Sequence, residues 1–127
     1  MKGMARLAVL AAVVLLAGCG QYDCSSADTK DLVRELLARG HEELVLHSTL
    51  LDTRIEGIVT EEANENVGWY ACHAEIIADV PGGGTKKADL YYEVSQVDSA
   101  DADLEVVVDR EVAEEFAAAV RWSIDGR

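Results

Sequence analysis

Three cysteines, three histidines and 24 carboxylates are the groups with chemistry to offer in this 127-residue chain. His41-Glu42-Glu43-Leu44-Val45 opens like a zinc-binding helix, in which two histidines four residues apart must share one face. Position 45 is Val, so a metal would lack its second ligand. His41, His47 and His73 therefore read as surface or strand-face residues. Gly82-Gly83-Gly84 and Thr85-Lys86-Lys87 hold the residue types of a phosphate loop in the wrong order, with no helix opening behind them. A hairpin loop over 81–87 is the plainer reading, its lysines marking a contact site or guarding a strand edge. Asp98, Asp101, Asp103 and Glu105 gather the ligand type calcium prefers, without the glycine and closing Glu of a helix-loop-helix site. Glu61, Glu62 and Glu65 form a second acidic turn, read as solvated. Ser25, Ser26, Ser48, Ser95, Ser99 and Ser123 sit in no nucleophile-elbow context. No catalytic constellation, metal set or cofactor motif is legible, and an enzyme is the least supported class.

The cysteines say more. Lys2 and Arg6 are the only charges before Asp23, and an uncharged run follows from Leu7 to Gly18. As a helix, that run would span roughly 18 Å, well short of a ~30 Å hydrocarbon core. An export signal explains it better than a membrane span. The run closes on Leu16-Ala17-Gly18-Cys19, which resembles the lipobox of bacterial lipoproteins. The resemblance implies a signal peptide over 1–18, cleavage between Gly18 and Cys19, and a diacylglycerol on the Cys19 sulfur. It further implies a place in the cell envelope, held to the membrane by lipid. Gly20 is not the Asp that resembles an inner-membrane retention signal. In a Gram-negative cell this points to the periplasmic side of the outer membrane, and otherwise to the outer face of the cell membrane.

Cleavage would leave 109 residues with nine Lys+Arg against 24 Asp+Glu, a net charge of −15. So acidic a chain is unsuited to nucleic acid, whose phosphates need clustered cations. Half of the residues are hydrophobic, too many for intrinsic disorder, yet the core of so small a chain is modest. With Cys19 committed to lipid, Cys24 and Cys72 remain, and outside the cytosol they suit a disulfide. Such a bridge would stabilise by roughly 3–4 kcal/mol on the chain-entropy model. Two free thiols are the alternative. Residues 19–23 would form a short lipidated tether, and 24–127 a single domain close to the bilayer.

Elements that must position these groups follow from periodicity. Ser26-Ala27-Asp28 reads as a helix start, with Leu32, Val33, Leu36 and Leu37 as one apolar stripe and Gly40 as the stop, giving a helix over about 27–39. Residues 41–51 are ambiguous between a helix extension and a short second helix. From Arg54 the period becomes two, with Ile55, Gly57 and Val59 alternating with Arg54, Glu56 and Thr60. After the acidic turn at 61–66, a strand over 67–80 places Tyr70, Cys72, Ala74, Ile76 and Ala78 on one face. Trp69, His73, Glu75 and Asp79 fall on the other. Ala88, Leu90, Tyr92 and Val94 face inward on a third strand, and Leu104, Val106 and Val108 on a fourth. Arg110–Ser123 reads as a helix with Val112, Phe116, Ala119 and Val120 inward.

The sum is an α+β fold: an N-terminal helix on a four-stranded antiparallel meander, with a C-terminal helix. The order loosely resembles the cystatin-like and NTF2-like group. Gln96-Val97-Asp98-Ser99-Ala100 departs from the inhibitory Gln-x-Val-x-Gly hairpin of cystatins, so protease inhibition is not carried over. Trp69, His73, Ile77 and Tyr91, with Val97, would form a binding patch if the outer sheet face is open, and core if a helix covers it. These features favour a non-enzymatic, lipid-anchored envelope protein that binds a protein partner near the membrane. An inhibitor or immunity protein for a basic enzyme and a small-molecule carrier are the competing readings.

Overall fold

A computed structural model describes residues 9–14, 22–82, 84–97 and 104–126. The lipobox, with Cys19, and Asp98, Asp101 and Asp103 lie outside the described residues. The elements are β1 (Val9–Val14), α1 (Ala27–Ala38), α2 (Leu44–Leu51), β2 (Arg54–Asn64), β3 (Trp69–Val80), β4 (Gly84–Gln96), β5 (Leu104–Asp109) and α3 (Arg110–Asp125). The architecture is α+β: β2 to β5 form the expected antiparallel meander, with two helices before it and one after. β1, inside the run read as an export signal, adds a fifth strand against β5, giving the order β1-β5-β4-β3-β2. Its valines favour extended backbone, and β5 supplies the peptide groups it pairs with.

All three helices share one core with a single face of the sheet. α1 buries the predicted stripe of Leu32, Val33, Leu36 and Leu37, each contributing on the order of 1.5–3 kcal/mol by leaving water. Ser26 is its N-cap, but the hydroxyl pairs with that of the buried Thr29, at 2.7 Å, rather than with a helix N–H. Residues 44–51 form the separate short helix, α2. β5 runs straight into α3, because the Asp109 carboxylate accepts from the N–H groups of Glu111 and Val112 and caps the helix. α3 buries Ala113, Phe116, Ala117 and Val120. The expected stripe is thus turned slightly, and Val112 and Ala119 are only half-buried.

Cys24 and Cys72 form a disulfide across 48 positions, with Cα atoms 5.6 Å apart, tying the entry to α1 onto the first half of β3. Both cysteines are buried, and so is Tyr22. Tyr22, two residues before Cys24, is thus already part of the packed body. The Tyr92 hydroxyl donates to the Cys24 carbonyl at 2.7 Å beneath the bridge. Burial, reinforced by the charge of Asp23, holds this phenol well above the ordinary tyrosine range. The folded chain thus keeps a proton that the unfolded chain gives up near pH 10, so the associated stability is intact below about pH 10 and declines as pH rises further. Tyr92→Phe is expected to cost about 1–2 kcal/mol at neutral pH, by leaving a buried carbonyl unpaired, and to flatten that decline. Urea unfolding of both chains at about pH 7 and about pH 10.5 measures the two effects. Parallel losses in the two chains would assign the alkaline instability elsewhere.

β2 departs most from expectation. Its pairing with β3 shifts between Glu56 and Val59 and again between Thr60 and Glu62. Gly57, at φ +61°, permits the first irregularity. As a result Val59 is exposed, while Thr60 directs its hydroxyl to the Cys24 sulfur at 3.3 Å. The acidic segment 61–64, read as turn, is strand, because the long β3 offers partners to Glu62, Ala63 and Asn64. At the other hairpin, β4 starts at Gly84, so Lys86 and Lys87 stand in a strand opposite Ala78 and Ile77.

Candidate functional site

β3 and β4 pair without interruption from Trp69↔Ser95 to Val80↔Gly84. This register sets His73 directly opposite Tyr91 on the sheet face turned away from the helices. The two rings stack, with centroids 4.5 Å apart and planes 20° from parallel. Carboxylates flank the imidazole: Glu61 Oε2 lies 3.9 Å from Nδ1 and Asp89 Oδ1 lies 3.7 Å from Nε2. Trp69 precedes His73 by four positions and so shares its face, its indole N–H donating to Glu93 Oε1 at 3.2 Å. Val59 pairs with His73 from the β2 side. The result is a band of Val59, His73 and Tyr91 across three strands, with Trp69 beside it and carboxylates around it.

The opposite end of this face is held by charge. Arg54 donates to Asp79 at 2.9 Å and to Glu56 at 3.1 Å. The bond to Asp79, more than that to Glu56, raises its already high pKa. Ile77, in register between Arg54 and Lys87, is only 4% exposed and presents almost no surface. Of the four residues predicted from sequence, Trp69, His73 and Tyr91 therefore make an accessible group, and Ile77 underlies the ion pairs. Val97 is half-buried at the end of β4. Sequence reasoning missed Val59, which strict alternation assigned to the core. Gly57, in the middle of a strand, was the available signal for a bulge.

Tyr91 and Val59 are each 49% exposed, and Asp89 is more open still. Partly exposed aromatic rings rimmed by carboxylates suit arginine or lysine, because the rim carboxylates pair with the cation while the exposed ring edges pack against its aliphatic stem. Elsewhere the chemistry is sparser. A groove of about 250 Å³ between the end of α1 and the start of α3 is lined by Arg39, His41 and Arg110 among others, and Arg110 there faces Glu114 at 3.8 Å. Among the described residues, no three His, Cys, Asp or Glu side chains converge as metal donors. No described helix is long and apolar enough to cross a membrane. Comparison with protein-family models, curated proteins and solved structures finds no match to this chain.

Proposed function

We propose that this is a non-enzymatic lipoprotein of the cell envelope whose outer sheet face receives a basic protein partner. The observation that carries the reading is the open face itself: the Tyr91–His73 stack and Trp69 lie among carboxylates, while all three described helices pack on the other side. An exposed aromatic group on a soluble face commonly marks contact with another macromolecule. The acidic rim, on a processed chain of net charge −15, would speed encounter with a basic partner. An inhibitor or immunity protein for a basic enzyme is one form of this reading. The carrier alternative has less support, since Leu36, Leu37, Leu50, Ile76, Leu90 and Tyr92 fill the space between helices and sheet.

Anchoring rests on the lipobox. Only Gly20 and Gln21 separate Cys19 from the buried Tyr22, so the three steps from Cys19 span at most about 11 Å. Lipid on Cys19 would therefore hold the domain close to the bilayer. Labelled palmitate is expected to enter the wild-type chain and be absent from Cys19→Ser, and equal labelling of the two would end the lipoprotein reading. Partner capture is tested by pull-down from envelope extract at about 50 mM and about 500 mM salt. Capture should fall steeply at the higher salt, and salt-independent capture would count against a basic partner on this face.

A further inference from the structure

β2, one edge of the sheet, and β5, the strand next to the other edge, are built differently. β2 carries two register shifts and a run of charged side chains, the devices that keep an edge from pairing with other strands. β5 has neither: it pairs regularly on both sides, and between Glu105 and Asp109 it is three valines in a row. Its protection is β1, which lies along it from Val9↔Asp109 to Val14↔Leu104 and is approached by α1 and α3. With β1 in place, Leu104, Val106 and Val108 have no exposed surface.

We infer that processing turns this edge into a docking site for an extended, uncharged aliphatic segment of another protein, entering antiparallel to β5 where β1 now sits. The inference rests on the reading that residues 1–18 are removed. Their loss would strip β5 of its hydrogen-bonding neighbour. The chemistry of the guest follows from the strand that fills the slot: six residues, Val-Leu-Ala-Ala-Val-Val, without a charge. Main-chain bonds would supply affinity, and the small and branched side chains selectivity. A second copy fits poorly, because pairing two β5 strands would join chains of −15 and bring Glu105 and Asp109 of each to one seam.

The test compares the processed, lipidated protein with full-length Cys19→Ser, each in neutral-lipid nanodiscs, by amide exchange over residues 104–109. Exchange should be at least about a hundredfold faster in the processed protein. A synthetic peptide of residues 7–16, with two lysines at each end, should restore protection. The same peptide with Ala12→Pro should bind at least about tenfold more weakly, since proline removes a donor from the strand. Slow exchange in the processed protein without peptide would overturn the inference, as would equal binding of the two peptides. Protection that grows with protein concentration would assign the edge to a second copy and overturn it too. Mass measurement separates the failures: a chain keeping residues 1–18 defeats the processing reading and the vacancy together, whereas a processed chain with a closed edge defeats the docking site alone.

Discussion

Cys24→Ala/Cys72→Ala is expected to unfold about 3–4 kcal/mol more easily than the wild type, with a midpoint roughly 15–25 °C lower. The bridge closes a long loop, 48 positions, and the unfolded chain gains that freedom when the bridge is absent. Removing both sulfurs avoids leaving a lone buried thiol, and Ala avoids burying a hydroxyl where both positions are essentially closed to solvent. Tyr92 holds the Cys24 carbonyl independently of the sulfur. The two ties act on the same segment, so Tyr92→Phe should cost more in the bridged-free chain than in the wild type, a non-additivity that a double-mutant cycle reads directly. Urea unfolding of the four chains supplies the measurement. A loss under about 1 kcal/mol for the double alanine chain would mean the bridge hardly restricts the unfolded ensemble.

Tyr91→Ala combined with Trp69→Ala should weaken partner capture by about a hundredfold, at a cost to the fold of about 1–3 kcal/mol. Tyr91 is half-exposed, and its stack on His73 is a cross-strand pair worth only a fraction of a kcal/mol to about 1 kcal/mol. At an interface the same ring would be fully desolvated, and anchors of this type dominate binding. Asp89→Lys should act differently. It reverses a charge at the rim, so it should slow association and reduce the salt sensitivity of capture, with a smaller effect on dissociation. Binding kinetics of the captured protein to the three chains separate these effects. Unchanged capture by the aromatic double variant, with folding intact, would remove the outer face from the function.

Legibility varied with how local the governing physics is. β3 and the part of β4 from Ala88 were readable because alternation holds through Cys72–Ile76 and Ala88–Val94, and their uninterrupted register carried it into two distinct faces. His73 and Tyr91 were thereby assigned to one face, but that they stand opposite each other depends on the hairpin closing between Val80 and Gly84. β2 misled because composition argued for a turn at 61–64, whereas an available partner strand outweighed weak intrinsic preference. Val59 and Thr60 exchanged faces for the same reason, since a bulge is a relation between two strands and leaves little trace in one.

The chain alone determined the α+β class, the apolar face of α1 and the inward residues of β3 to β5. Each of these is a matter of residue type and short-range period, and backbone geometry converts a period into a face without outside help. Tertiary structure decided which sheet face the helices cover, and with it that Tyr91 is exposed and Trp69 and His73 half-buried while Ile77 is hidden. It also decided that Val9–Val14 lies along β5. These outcomes turn on which surfaces meet, and packing and pairing partners far apart in the chain are chosen by the whole molecule rather than by any segment of it.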